Sequence, residues 1–263
     1  MRYTQKDIRQ KLGISRDTLR LYEKKGIIEP DIDPGNGYRY YDDWQVNLLW
    51  DCRYYQGMGF SLAQVQDILK RDSLDRLAGR IETRERELAR ELELRGLALR
   101  EHRHYLEGLR SLGDLLGSVR ECDFAGCVCV IERELHQIAD EVHECAIAFA
   151  NRNVALMKPY FWFPEIDSDR YYWGSAMRLK TFEDLGEELG SEGVVRLDPC
   201  RALETVVDAG ERGGFDSALF AGFLDEALER GFKPVGSLHG VLLARTHDEN
   251  GFHRYIRAYL PIA

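Results

Sequence analysis

Between Leu74 and Leu116 the chain runs for 43 residues without a proline and is dense in Glu, Arg and Leu. Such a stretch has one economical conformation, a single helix, and a helix of roughly 40 residues spans about 60 Å at 1.5 Å per residue. No small domain covers a rod of that length, and isolated helices gain little stability from propensity alone. Ile81, Leu88, Leu92, Leu99, Leu106 and Leu109 recur along it at separations of 7, 4, 7, 7 and 3, an apolar seam with coiled-coil spacing. The seam predicts an antiparallel coiled coil with the same helix of a second subunit. Arg84, Glu91 and Arg95 interrupt a strict heptad and leave the register open.

The residues before this rod punctuate themselves clearly. Thr4 followed by Asp7 marks a helix start, Ile8 and Leu12 give that helix an apolar stripe, and Gly13 ends it. Ser15 caps a second helix, in which Leu19 faces inward while Arg16, Thr18 and Arg20 fall outward near the N-terminal end. Pro34-Gly35-Asn36-Gly37 predicts a tight hairpin turn, placing Tyr38 and Arg39 on a small strand pair. A helix-turn-helix followed by a wing holds double-stranded DNA, with the start of the second helix at base edges and the wing on phosphates. The DNA-facing set is Thr4, Ser15, Arg16, Thr18, Arg20, Tyr22, Lys24, Tyr38 and Arg39, with Tyr22 and Lys24 nearer the backbone.

Ser15-x-x-Thr18-x-Arg20-x-Tyr22-Glu23, Gly26-Ile27-Ile28, Gly37-Tyr38-Arg39-x-Tyr41 and Gly57-x-Gly59-Phe60-Ser61-Leu62 stand in this order ahead of the long helix. Over about seventy residues this resembles the MerR family of transcriptional regulators. The resemblance implies a homodimer that joins two half-sites of a pseudo-palindromic promoter operator and untwists an overlong spacer, with RNA polymerase as a further partner at the promoter.

Charge agrees locally. Residues 1 to 25 hold eight Lys or Arg against three Asp or Glu, whereas the whole chain has 36 against 45 and a net charge of −9. Residues 118 to 263 hold 15 basic and 25 acidic side chains, so phosphates repel this part and it needs another task. A chain of 263 residues with 44% hydrophobic content buries more than one core. No apolar run approaches the ~20 residues of a membrane span, and Met1-Arg2-Tyr3-Thr4 opens on the DNA-binding pattern, so a cytoplasmic protein without a membrane partner is expected. Six cysteines without a small-domain framework fit a reducing compartment.

From Gly113 to Gly126 the composition changes and the period switches. Cys127 to Ile131 predicts a buried strand, Glu134 to Asn151 a helix with Leu135, Ile138, Val142, Ala146 and Phe149 inward, and Tyr171 to Leu179 a second strand. The order then repeats with strand Ala202 to Asp208, helix Asp216 to Arg230, and strands Gly240 to Thr246 and Arg254 to Ile262 around a loop at 247–251. The expected fold is multidomain. It comprises a mostly α winged helix-turn-helix over 1–72, a dimerisation helix over 73–117, and a duplicated strand-helix-strand-strand α+β domain over 118–263, its sheets facing across a cleft.

Ala202 to Val207, Gly231-Phe232-Lys233-Pro234-Val235-Gly236 and the closing Tyr259-Leu260-Pro261-Ile262 resemble the GyrI-like effector domain. That resemblance implies an aromatic pocket for a small organic, often amphipathic compound, as in multidrug-sensing relatives. Seven aromatic residues fall within fourteen positions, at Tyr160 to Phe163 and Tyr171 to Trp173, and flat rings stack on planar ligands. The expected ligand contacts are Trp162, Phe163, Tyr171, Trp173, Tyr255, Arg257 and Tyr259. Cation-binding relatives look to have a buried carboxylate four residues before the terminal-strand Pro, where this chain has Arg257. If Arg257 lines the pocket, it disfavours a lipophilic cation and favours a neutral polar, phenolic or anionic ligand. The alternatives are a carboxylate from Glu165 or Asp167, or an Arg257 simply paired with an acid such as Glu204.

Two rival readings stand beside this one. Cys122, Cys127 and Cys129 follow the long helix, where metal-responsive MerR relatives carry thiol ligands, and thiolates bind Cu(I), Zn or Hg strongly; yet buried Cys usually behaves as a small hydrophobe. His136 and His143 read as surface residues rather than ligands, and no cofactor is implied. Some GyrI-like domains resemble small-molecule hydrolases, but no Ser-His-Asp order, phosphate loop or zinc motif points to an enzyme.

Overall fold

The computed structural model describes residues 2–134, 137–138 as backbone only, 144–166, 170–210, 215–249 and 251–263. Two compact units divide within the long helix, Met1–Leu92 and Glu93–Ala263.

The first unit begins with β1 (Tyr3–Thr4), α1 (Gln5–Leu12) and α2 (Arg16–Lys24). Thr4 caps α1 in a reciprocal box: its hydroxyl accepts from the Asp7 N–H at 3.3 Å, and the Asp7 carboxylate accepts from the Thr4 N–H at 2.8 Å. Gly13 closes α1 at φ +64°, a left-handed conformation that only glycine adopts without strain. The wing is β2 (Asp31–Ile32) and β3 (Arg39–Tyr41), joined into a three-stranded sheet by β1. Asp33 sets its turn by accepting from the N–H groups of Gly35 at 2.8 Å and Asn36 at 3.3 Å. Helices α3 (Asp43–Gly57) and α4 (Leu62–Lys70) complete the unit. Its core holds Ile8, Leu12, Leu19, Tyr22, Ile27, Ile28, Tyr41, Leu49 and Val65.

Helix α5 (Leu74–Arg110) is the expected rod, but it ends after 37 residues, short of Leu116. Along the predicted seam, Leu88, Leu92, Leu99 and Leu106 are exposed, whereas Ile81 packs against the first unit's core and Leu109 against the cluster of Leu115, Val206 and Leu243. Another face of α5, through Leu94, Leu97, Ala98 and Glu101, is covered within the second unit by α-helical and strand residues, with Thr181 donating to the buried Glu101 carboxylate.

The second unit continues with α6 (Leu112–Leu115), β4 (Arg120–Phe124), β5 (Cys127–Glu134), β6 (Gln137–Ile138), α7 (Glu144–Arg152), β7 (Lys158–Phe163), β8 (Tyr172–Arg178), α8 (Leu179–Leu185), β9 (Val194–Leu197), β10 (Cys200–Asp208), α9 (Ala221–Glu229), β11 (Leu238–Asp248) and β12 (Gly251–Pro261). The duplication is plain: β5-α7-β7-β8 repeats as β10-α9-β11-β12. The halves do not form separate sheets. They join edge to edge through β7 and β11 into one nine-stranded antiparallel sheet, in the order β4-β10-β12-β11-β7-β8-β5-β6 with β9 also on β5.

One expectation changes here, and one strand is added to the expected order. The segment from Glu134 is not continuous helix, because β5 extends through Glu134 by pairing with β8 across a bulge, and the described helix starts at Glu144. Leu135, His136, Val142, His143, Asp167 and Asn250 lie outside the described residues. The run Tyr160 to Phe163 is a strand in its own right, buried on both faces, so its aromatic residues show no apolar-polar alternation.

Register fixes two faces. Phe161, Phe163, Leu203, Ile256, Ala258 and Leu260 form one core with Phe215, Phe220 and Phe223. Gly240 lies beneath the Phe161 ring; a Cβ there would sit 2.8 Å from that ring and 2.0 Å from the Arg257 carbonyl oxygen, so only glycine fits. The opposite face carries Tyr160, Trp162, Val241, Arg257, Tyr259 and Glu204, related by the cross-strand pairs Tyr160–Val241, Val241–Arg257 and Tyr259–Glu204.

Candidate functional sites

In the first unit, Thr4, Lys6, Arg16, Asn36, Tyr38 and Arg39 line one groove bounded by the starts of α1 and α2 and by the wing. The groove exists because Glu23 ties the wing to α2, accepting from the Tyr41 hydroxyl at 2.6 Å and pairing with Arg39 at 3.2 Å. Arg16, Arg20 and Lys24 are exposed and Tyr38 is 65% exposed. Ser15 caps α2 by accepting from the Thr18 N–H at 3.1 Å, and the two hydroxyls hydrogen-bond at 2.8 Å. Tyr22 differs from expectation: it is buried at the core and its hydroxyl donates to Gln56 at 2.6 Å, so it supports α2 from within instead of facing outward.

In the second unit, a cavity of about 410 Å³ opens on the free face of the sheet, with Tyr105 and Gly108 of α5 on its wall. Of the expected ligand contacts, Arg257 and Tyr259 line it. Tyr255 shares their face but packs beside Tyr105, Leu109 and Leu112 and stacks on His253 at 5.6 Å. Trp162 stacks on Tyr172 at 5.3 Å outside the cavity, with its indole Nε1 buried and without a hydrogen-bond partner among the described residues. Phe163 and Tyr171 are sealed in the core on the other side, and Trp173 packs there edge-on to Phe161 at 5.9 Å. Strand parity separates them, since Phe161 and Phe163 alternate with Tyr160 and Trp162.

The cavity takes Tyr160 from the aromatic run and recruits residues that aromatic density did not mark: Phe124, Glu204, Lys158, Arg178 and the thiols of Cys122 and Cys127. Glu204 is 3% exposed and is the sole charge in the run Ala202 to Val207; a lone acid inside an apolar strand was the available signal. Its Oε1 accepts from Arg120 Nε and its Oε2 from Arg257 Nε, each at 2.9 Å, with Arg257 Nη2 as a further donor. The pairing of Arg257 with Glu204 is thus present, and Arg257 faces the cavity as well. His239 lies behind the wall, 1% exposed, joined to the Tyr160 hydroxyl at 2.7 Å, and burial pushes its pKa down to about 3, leaving a neutral imidazole. Burial likewise pushes the Cys122 and Cys127 thiols up to about 12 and Cys129 well above its ordinary value.

His253 stands between two carboxylates, Nδ1 at 2.5 Å from Asp208 and Nε2 at 3.0 Å from Asp248. Its pKa is raised, first by the hydrogen bond to Asp208 and then by that to Asp248. A raised folded-state pKa adds stability that is complete below the unfolded value of about 6.5 and is lost as pH rises through the folded value. Replacing His253 by Gln should therefore lower Tm more at pH 5.5 than at pH 8.5, and a pH-independent difference would show that the imidazole is uncharged in the fold.

Residues 3–72 match the family described as MerR HTH family regulatory protein; this part of the chain is a MerR-family helix-turn-helix domain. The chain is 33% identical over 66 residues to an uncharacterised HTH-type transcriptional regulator of Synechocystis sp., covering 25% of this chain and 48% of that one. It is 32% identical over 63 residues to the HTH-type transcriptional regulator CueR of Salmonella typhi, covering 24% and 46%. The chain thus spans about half the length of the curated relatives it matches. Among solved structures, the EcmrR–DNA complex determined by cryo-EM aligns over 97% of both chains at 13% identity and a TM-score of 0.37, too low to carry an argument. Among the described residues no helix is long and apolar enough to cross a membrane, and no group of His, Cys, Asp and Glu is arranged to hold a metal ion.

Proposed function

We propose that the protein is a homodimeric transcriptional regulator that binds promoter DNA through its MerR-type unit and senses a small organic effector in the cavity of its second unit. The observation that carries this reading is the groove where Arg16, Tyr38 and Arg39 converge, next to the outward-facing Arg20. Arg16 and Arg20 suit base edges, the wing pair suits phosphates, and Thr4, Ser15 and Thr18 hold the helix starts against the duplex. The division into residues 1–72 for DNA, 73–117 for dimerisation and 118–263 for the effector belongs to this proposal, as does RNA polymerase as a partner at the promoter. Exposed Leu88, Leu92, Leu99 and Leu106, separated by 4, 7 and 7 residues, support pairing of α5 with a second copy.

A thiol-based metal response through Cys122, Cys127 and Cys129 gains nothing from the geometry, because Cys129 is 1% exposed and burial raises the cost of each thiolate. Selection of bound sequences from a random duplex pool with the full-length protein tests the reading. Enrichment of one inverted repeat, with transcription from it altered by an organic compound that occupies the cavity, is the expected result. Failure to enrich any sequence would overturn it.

A further inference from the structure

The class of ligand follows from the charges that face the cavity, and this step rests on the cavity being an effector site. Glu204, the buried carboxylate of the wall, is already spoken for by Arg120 and Arg257. Glu107 and Asp123 lie at the rim and are exposed to water, with Glu107 joined to His104 at 3.3 Å. Two further cations line the same cavity, Lys158 on β7 and Arg178 on β8. Lys158 pairs across the ladder with Ala176, so Arg178 is its diagonal neighbour on one face, within the reach of long side chains. Lys158 lies over the Tyr105 ring at 4.8 Å, and among the described residues neither Lys158 nor Arg178 forms an ion pair or a side-chain hydrogen bond. The Lys158 pKa is lowered by burial, and the neighbouring Arg178 and Arg257 cations add to the effect against the opposing pull of Glu101.

Three cations thus face the cavity, whose one buried lining carboxylate, Glu204, is shared by two arginines, while Glu101, buried outside the lining, draws on Lys158. An entering anion relieves their mutual repulsion and gains charge-assisted hydrogen bonds, whereas an entering lipophilic cation worsens it and gives up its hydration as well. Phe124, Tyr160 and Tyr259 line the same cavity. We propose that the cavity takes a compact aromatic carboxylate, its ring against Tyr160 and Tyr259 and its carboxylate between Lys158 and Arg178.

Calorimetric titration of the full-length protein at fixed salt with 2-naphthoate, methyl 2-naphthoate and 2-naphthylmethylammonium tests this, since the three probes share a ring system and differ in charge. The carboxylate should bind at least tenfold tighter than the ester, with the ammonium weakest. K158Q and R178Q, checked for an unchanged Tm, should each cost the carboxylate about tenfold and shift the ester by less than twofold. An ester or ammonium that binds as tightly as the carboxylate would overturn the anion assignment, and a carboxylate preference that survives both substitutions would overturn the seat between Lys158 and Arg178, each leaving the effector cavity in place. Absence of binding by all three probes would count against the cavity itself.

Discussion

Replacing Glu204 by alanine is expected to lower the stability of the second unit by about 3–5 kcal/mol, the usual cost of removing one partner from a buried ion pair. The carboxylate is 3% exposed and receives both Arg120 and Arg257. The two arginines do not suffer equally. Arg120 has a side chain 49% exposed and swings into water, whereas that of Arg257 is 20% exposed, so most of the cost falls on one desolvated guanidinium. Urea unfolding followed by a probe confined to the second unit reads the change. A loss below about 1 kcal/mol, the range of exposed pairs, would mean that Arg257 is hydrated through the open cavity. The double variant E204L/R257M separates charge from packing: it should recover more than half of the loss, because apolar groups of similar volume replace buried pairs at little cost.

The same pair shows what could be read from the residue order and what needed three dimensions. Thr4, Gly13, Ser15 and the Pro34 to Gly37 turn act within a few residues of themselves, so the winged helix-turn-helix was legible from local chemistry. The rod α5 was equally legible, but its seam was not: Ile81 and Leu109 carry the right spacing yet are covered by their own chain, and spacing alone does not distinguish an inward leucine from an outward one. Period-2 alternation put Tyr255, Arg257 and Tyr259 on one face correctly. It failed across strands, because which face of β7 meets which face of β12 depends on the β11–β12 hairpin register and on the β7–β11 register, the latter made by residues some 80 apart in sequence. Aromatic density therefore pointed at Phe163 and Tyr171, which fill the core, and passed over Lys158 and Arg178, which have no aromatic or motif signature at all.

At the DNA end, alanine at both Arg16 and Arg20 is expected to weaken binding to the selected operator on the order of a thousandfold at fixed salt. A good side-chain contact to a base edge discriminates by about 1–3 kcal/mol, and the proposed dimer would present each arginine twice. Both side chains are exposed and neither forms an ion pair among the described residues, so the substitutions should leave Tm unchanged and the loss is one of contact rather than of fold. Arg39 differs because Glu23 holds its guanidinium at 3.2 Å and offsets part of its charge; alanine there removes an anchor of the wing together with the proposed phosphate contact, and a smaller loss is expected. The discriminating quantity is the ratio of operator to random-sequence affinity, measured over a salt series. If Arg16 and Arg20 read bases, the ratio collapses while the salt slope changes little; if they press on phosphates, both affinities fall together, the slope flattens and the ratio survives. An operator affinity that the double variant leaves intact would remove α2 as the recognition helix, and with it the groove as the DNA-binding surface.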